Sequence, residues 1–274
     1  MFAVHKIESL DIPPLQPYRT MRRQAAHREQ GIFVAEGEKV VRRLLESRFE
    51  VLSLLLPEKW LTELEHALQA RPEPIDVFVA EKQLLETLTG FSMYQGLLAV
   101  GKIPVPISLS EIIDRASKPH LLVAVDNLSN AENLGALVRN CAGFGVQALV
   151  VGETCCSPFL RRAVRSSMGA IFQLPVIETK GILSTLRDLQ ARGFRCIAAH
   201  PHVQGRTLPQ ANFFGDCCVV FGSEGHGITP AVLEICDEAV AIPMPDAVDS
   251  LNVGSAAAVF LYEANRQRGR MSKV

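Results

Sequence analysis

Residues 219–230 read VVFGSEGHGITP. An apolar run ends at Phe221, and Gly222, Gly225 and Gly227 follow within six residues, with Glu224 and His226 between them. Glycine-rich turns between a strand and a helix often hold phosphate, because backbone N–H groups can close on its oxygens. Here no lysine follows the glycines, as a Walker loop requires, and a carboxylate inside the turn repels phosphate. The loop suits a cationic or hydrogen-bond-donating ligand. Thr229-Pro230 then opens a helix.

A second group lies in DNLSNAENLGALVRNCAGFGV, residues 126–146. Ser129-x-x-Glu132 fits a capping box. Leu134, Leu137, Val138 and Cys141 form a helical stripe, and Gly143 fits its end. Asn133 then falls in the first turn, and Gly135 and Arg139 share a face four residues apart. Two readings stand: a ligand approaching closely at Gly135 with Arg139 beyond it, or a glycine packed on a strand beside a solvated arginine.

Two arginine-rich stretches match phosphate chemistry, since the guanidinium fork fits phosphate oxygens. In SPFLRRAVRSSMGA (157–170), Ser157 and Pro158 read as a helix start. Arg161 and Arg165 then align, with Arg162 beside them. In YRTMRRQAAHRE (18–29), Arg19, Arg22, Arg23 and Arg28 sit on what reads as an exposed helix or arm. The bland alternative for both is a solvated face. Finally, IPMPDAVDSLNVGSAAAVFLYEANRQR (242–268) leads from a strand through Ser250-Leu251-Asn252 into a helix whose first turns, Gly254 to Ala258, are small enough for close backbone packing. Ser250 and Asn252 are either site residues or N-caps.

These groups need a scaffold. From Leu121 onward, apolar runs at 121–125, 148–151, 196–200, 218–221 and 239–244 alternate with helical patterns. Continuous apolar strands between helices imply a parallel sheet covered on both faces. Before them, strands at 51–56, 75–80 and 95–104, a strand entering an amphipathic helix at 31–47, and a short helix at 81–90 make a smaller α/β unit. GFGVQA (143–148) matches a dinucleotide fingerprint, but a helix precedes it and a strand follows, the reverse of what that function needs.

The 274 residues suffice for one large or two modest domains. No apolar run approaches the roughly 18 residues that span a bilayer, and the N-terminus lacks a signal-peptide pattern. A net charge of −1 confines any nucleic-acid contact to local patches. Seven cysteines without CxxC spacing read as reduced, buried thiols of a cytoplasmic protein rather than zinc ligands.

Taken together, Asn133-x-Gly135-x-x-x-Arg139, VVFGSEGHGITPAVLE and IPMPDAVDSLNVGSAAAVFLYE resemble the three ordered motifs of the SpoU (TrmH) family of RNA ribose methyltransferases. RSSMGAIFQLPV between them is similar as well, and FVAEGEKVVRRLLES resembles that family's accessory RNA-binding domain. The resemblance implies an α/β fold, a parallel sheet with helices on both faces and a C-terminal trefoil knot, preceded by a smaller α/β RNA-binding domain. The expected division is 1–104 for RNA binding, 105–119 as linker and 120–274 for the methyltransferase. Expected activity is methyl transfer from S-adenosyl-L-methionine to a ribose 2′-hydroxyl of structured RNA, ribosomal RNA favoured over transfer RNA. The expected enzyme is a homodimer joined through the C-terminal domain, with neither metal nor membrane.

Carried onto this chain, the catalytic set is Arg139, Asn133, Glu224, Ser250 and Asn252. The cofactor set is Gly222, Glu224, Gly225, Ile242, Pro243, Met244, Leu251 and Asn252, with Ala198 and Ala199 at a strand end. A guanidinium pKa of about 12 or above makes Arg139 a poor base. It suits phosphate binding and stabilisation of a developing alkoxide. Ala131-Glu132 stands where relatives often carry proline, and LTGFSMYQG departs from a shorter Thr-rich turn. Both departures bear on the RNA target, not the reaction. A non-catalytic RNA-binding protein of the same fold and a base methyltransferase are the competing readings.

Overall fold

The computed structural model describes residues 1–21, 24–89, 96–201, 206–245, 247 and 249–269. The chain forms two compact units: Met1–Val105 with Phe159–Phe172, and Pro106–Pro158 with Gln173–Val274.

The first unit opens with strand β1 (Phe2–Lys6) and short helices α1 (Gln16–Arg19) and α2 (Gln24–Glu29). Then come β2 (Ile32–Glu36), α3 (Glu38–Glu46), β3 (Val51–Leu56), α4 (Glu58–Gln69), β4 (Ile75–Val79), α5 (Lys82–Thr89) and β5 (Leu98–Lys102). The strands form one sheet in the order β1-β4-β3-β5-β2. β4 runs parallel to β1 and β3, whereas β5 is antiparallel to β2 and β3. Val40, Val41, Leu44 and Leu45, at helical spacing, are the buried face of α3. Trp60, Leu64 and Leu68 do the same for α4. Neither α4 nor β1 is among the elements read from sequence; β1 is an edge strand, exposed along most of its length, so it carries little apolar signal.

The 18–29 stretch is not a free arm. Tyr18 is fully buried, with its hydroxyl 2.8 Å from Ser53 Oγ, and Met21 is buried too. Arg19 pairs with Asp11 at 2.7 Å. Arg22 and Arg23 lie outside the described residues.

The second unit begins with α6 (Leu109–Arg115), inside the segment expected as linker. Ser108 and Glu111 make its capping box, and Ile113 packs into the second core. β6 (Leu121–Val125), α7 (Ala131–Gly143) and β7 (Ala148–Val151) follow. The N-cap of α7 lies one residue later than the expected capping box places it. Asn130, not Ser129, is the N-cap, and its side chain accepts from the N–H groups of Glu132 and Asn133.

The next helix, α8 (Arg161–Ser166), belongs to the first unit. It starts at Leu160 with no side-chain cap, so Ser157 is not the N-cap expected. Within that unit the rings of Phe159 and Phe172 pack on Phe33 and Phe49, with centroids 5.3–6.2 Å apart. Arg161 and Arg165 both pair with Glu36. The Arg161 guanidinium is mostly buried and held by its ion pair with Glu36. Arg162 points to solvent.

The chain then adds β8 (Val176–Glu178), α9 (Ile182–Ala191), β9 (Arg195–Ala199), β10 (Arg206–Thr207), β11 (Cys217–Phe221), α10 (Pro230–Ile235), β12 (Glu238–Ala241) and α11 (Val253–Gln267). All pairings in this sheet are parallel, in the order β10-β12-β9-β11-β6-β7-β8. β6 and β11 sit centrally and are buried at every residue, which is why their sequences are continuously apolar. Helices α6, α9 and α10 cover one face, where Ile113, Leu186 and Val232 meet Leu122, Val150 and Val220. On the other face Phe260 of α11 packs edge-on to Phe221 at 5.7 Å, and α11 lies against α7. No described helix is long and apolar enough to cross a membrane.

Candidate active site

The chemistry-bearing segments gather at the carboxyl ends of the central strands, where open parallel sheets place ligand crevices. The turn after β11 folds back on itself. Ser223 and Gly227 exchange two backbone hydrogen bonds, at 2.9 and 3.1 Å, and His226 N–H donates to Ser223 Oγ. At Gly222 a Cβ would overlap the backbone of Gly227 and Ile228, and Gly227 itself has φ of +68°. Both positions require glycine. Gly225 does not: its surroundings are open.

The turn is anchored from below by Asp126, a buried acid at the end of β6. Its Oδ2 accepts the Thr229 N–H at 2.8 Å. Thr229 occupies the expected N-cap position of α10 but makes no side-chain cap bond. Asp126 went unnoticed in the sequence, where the only signal is an acid closing an otherwise apolar strand.

Asn252 joins the three motifs. Its Oδ1 accepts from Gly254 N–H at 2.9 Å and caps α11. That bond fixes which way the amide points. The NH₂ then donates to Asn133 Oδ1 at 3.1 Å and to Glu224 Oε1. Asn252 is therefore both an N-cap and a site residue, so the two readings drawn from sequence do not exclude each other. Close packing of the small-residue helix is seen at Gly254, where a Cβ would come within 3.2 Å of Ala136 Cβ. Asn140 Nδ2 donates to Gly254 O at 2.6 Å.

Beside this cluster lies a cavity of about 490 Å³. Of the residues expected to hold a cofactor, Ala199, Gly222, Glu224, Gly225, Ile242, Met244 and Leu251 line it, and Ser250 joins them. Ala198, Pro243 and Asn252 do not line it; Ala198 is fully buried in β9. Phe221, Val240, Val253 and Phe260 add apolar wall, and Asp249 adds a second carboxylate to Glu224. These walls are strand and helix residues whose sequence signal is that of ordinary core. No lysine or arginine lines the cavity among the described residues.

Arg139 is exposed on α7, lines neither this cavity nor its neighbour, and has no ion-pair partner among the described residues. The seven cysteines are free thiols. Burial pushes Cys196 and Cys236 up to about 12 and Cys218 well above its ordinary value, so none of these three is poised as a nucleophile. The described residues contain no cluster suited to a metal ion.

The sequence profile of the SpoU rRNA methylase family matches residues 120–262. The chain belongs to the SpoU family. An uncharacterized tRNA/rRNA methyltransferase of Mycobacterium tuberculosis is 35% identical over 264 residues, 93% of this chain and 90% of that one. A 23S rRNA (guanosine-2′-O-)-methyltransferase of Ralstonia nicotianae is 32% identical over 190 residues, 69% of this chain and 76% of that one. Among solved structures, the AdoMet-bound rRNA methyltransferase from Sinorhizobium meliloti shares the fold, with a TM-score of 0.81 over 96% of this chain and 98% of that one, at 21% identity. The matched span of this SpoU chain contains the Asn133–Asn252–Glu224 cluster and the cavity beside it.

Proposed function

We propose that this protein transfers a methyl group from S-adenosyl-L-methionine to a ribose 2′-hydroxyl of RNA, with cytoplasmic ribosomal RNA as the favoured substrate. One observation carries the reading. Asn133, Glu224 and Asn252, from three separate segments, meet beside a cavity whose described lining has two carboxylates and no basic side chain except histidine.

The residues present fit the cofactor. Glu224 and Asp249 suit a cationic ligand and oppose a polyphosphate, while Ile242, Leu251 and Phe260 offer apolar contact to an adenosine. The cofactor when bound supplies an electrophilic methyl on a sulfonium. Asn252 holds the Glu224 carboxylate as a hydrogen-bond acceptor and occupies Asn133 Oδ1, which leaves the Asn133 NH₂ to donate to a ribose oxygen. Arg139 binds the flanking phosphate and stabilises negative charge developing on the 2′-oxygen. Ser250 orders the loop that closes the cavity.

Three further features complete the reading. The C-terminal segment is threaded as a trefoil knot, a reading supported by the bonds that bring Asn252, downstream of β12, against Glu224 and Asn133. The second unit forms the homodimer contact, for which exposed Val259 and Tyr262 on α11 are suited. The first unit grips RNA.

The test is transfer of labelled methyl from adenosylmethionine to purified ribosomal and transfer RNA. Ribose methylation leaves nuclease-resistant dinucleotides in the digest. Their absence from every RNA offered would end the proposal. Transfer RNA is the second reading, favoured by the name of the mycobacterial relative, and the same assay separates the two.

A further inference from the structure

We infer that a second cavity, bordered by the 223–226 loop, receives the nucleobase of the target nucleotide; this rests on the function proposed above. The cavity is about 430 Å³. The β6–α7 turn, with Asn127, Ser129 and Asn130, forms one side, and Ser223 to His226 form the other. Those four loop residues also line the larger cavity, so the loop is a wall common to both voids.

The two voids differ in one respect: among the described residues, side-chain amides line the smaller and not the larger. The larger one has walls of Phe221, Val240, Ile242, Leu251 and Phe260. The smaller one has the amides of Asn127 and Asn130 and the hydroxyls of Ser129 and Ser223 in its described lining, beside Leu128. A planar base edge presents fixed donors and acceptors, and side-chain amides are the groups that read them. Asn130 Oδ1 is occupied by the Glu132 and Asn133 N–H groups, so its NH₂ is the part left to donate to a ligand. The His226 ring is exposed at the common wall, where a base can stack on it. The Glu224 carboxylate, with no lysine or arginine among the described lining residues, makes the void unsuited to a phosphate.

Position agrees with composition. Asn130 lies one turn before Asn133 on α7, and Glu224 belongs to both voids while bonding to Asn252. A ribose attached to a base in the smaller void therefore sits beside the Asn133–Asn252–Glu224 cluster, between base and cofactor. Sequence selection then belongs to the β6–α7 turn, and the methyl donor to the larger void.

The turn allows a clean test. Asn127 has φ of +56°, a conformation glycine adopts freely, so Asn127→Gly removes the amide and keeps the backbone. Asn130→Ser keeps an N-cap and removes the NH₂. With the full-length protein, each variant is expected to raise KM for RNA roughly tenfold, the loss of about one well-made hydrogen bond. Each should also weaken discrimination against RNA with the target base replaced. Calorimetric affinity for adenosylmethionine without RNA, and the melting temperature, should stay unchanged. Unchanged RNA KM and base discrimination in both variants overturn the inference, as does a fall in adenosylmethionine affinity with RNA KM intact. If the unmodified protein methylates no RNA, the functional proposal fails separately. The base site is then judged by filter binding of a ribosomal RNA fragment: weakened binding by both variants at unchanged melting temperature supports it, and equal binding overturns it.

Discussion

Asn252 Nδ2 donates to Asn133 Oδ1 at 3.1 Å, joining residues 119 positions apart in the chain. The same NH₂ bonds to Glu224, and the same side chain's oxygen caps α11. Structural and chemical roles can be separated at this residue. Asn252→Ala is expected to cost about 1 kcal/mol as a lost N-cap and to lower methyl transfer by about 100-fold or more as lost positioning. Asn252→Asp keeps the cap but sets a second carboxylate against Glu224. It should melt close to the unmodified protein and still be inactive. Thermal melts read beside transfer rates check this, and an active Asn252→Asp would remove the NH₂ from the mechanism.

Two glycines three residues apart should behave oppositely. A methyl at Gly222 meets the backbone of Gly227 and Ile228, whereas one at Gly225 meets nothing. Gly222→Ala is expected to destabilise by about 3 kcal/mol or more and to abolish adenosylmethionine binding. Gly225→Ala should stay within about 0.5 kcal/mol. Urea unfolding and calorimetry on the pair give the comparison; equal stability would mean that the Ser223–Gly227 turn is not formed as described.

Arg139 is exposed and makes no ion pair among the described residues, so stability does not depend on it. Arg139→Ala should fold and melt normally, and lose about 100-fold or more in transfer rate. Full activity in that variant would dismiss the arginine as catalytic.

The arginines of the 157–170 segment divide by environment. Arg161 and Arg165 are tied to Glu36, and Arg162 is exposed. Arg162→Ala is expected to reduce the slope of log affinity for RNA against log salt by about 0.7–0.9. Arg161→Ala should leave that slope alone and lower the melting temperature instead. Salt titrations of the two variants check the division.

A pH effect follows from Glu73, which accepts from Arg71 and from Val51 N–H in the first unit. Burial pushes its carboxyl up, but the bonds from Arg71 and Val51 and the adjacent guanidinium charge outweigh burial and hold it below its ordinary value. The unfolded chain takes up this proton first as pH falls. The stabilisation is thus complete above the ordinary glutamate range and is lost as pH drops through the depressed folded value. Glu73→Gln should lower unfolding free energy near neutral pH by about 1–3 kcal/mol. It should also lose less than the unmodified protein between about pH 7 and about pH 3. Parallel curves would clear Glu73 of any part in acid sensitivity.

Most of the second sheet was legible because β6, β7, β9 and β11 are buried, or nearly so, along their length, so a continuous apolar run identifies each. β1 and the two-residue β10 were not, because edge strands bury little. In the site, Asn133, Glu224 and Asn252 stood out as polar residues at the starts of helices or among glycines. Asp126, Val240 and Phe260 did not, since a cavity wall and a packed core use the same residue types. The place of 159–172 was also hidden. Local pattern shows that Phe159 and Phe172 are apolar, but not that their partners are Phe33 and Phe49, more than a hundred residues earlier.

That pairing has a consequence for synthesis. When Val105 is added, the sheet of the first unit is complete in sequence, yet Phe33, Phe49 and Glu36 still lack the segment that covers them. At about 5–20 residues per second the ribosome needs several seconds to deliver it. Through that interval an aromatic surface stays bare on the nascent chain, a natural recruiting point for a holdase. A gene fragment ending at residue 105 would keep that surface permanently uncovered.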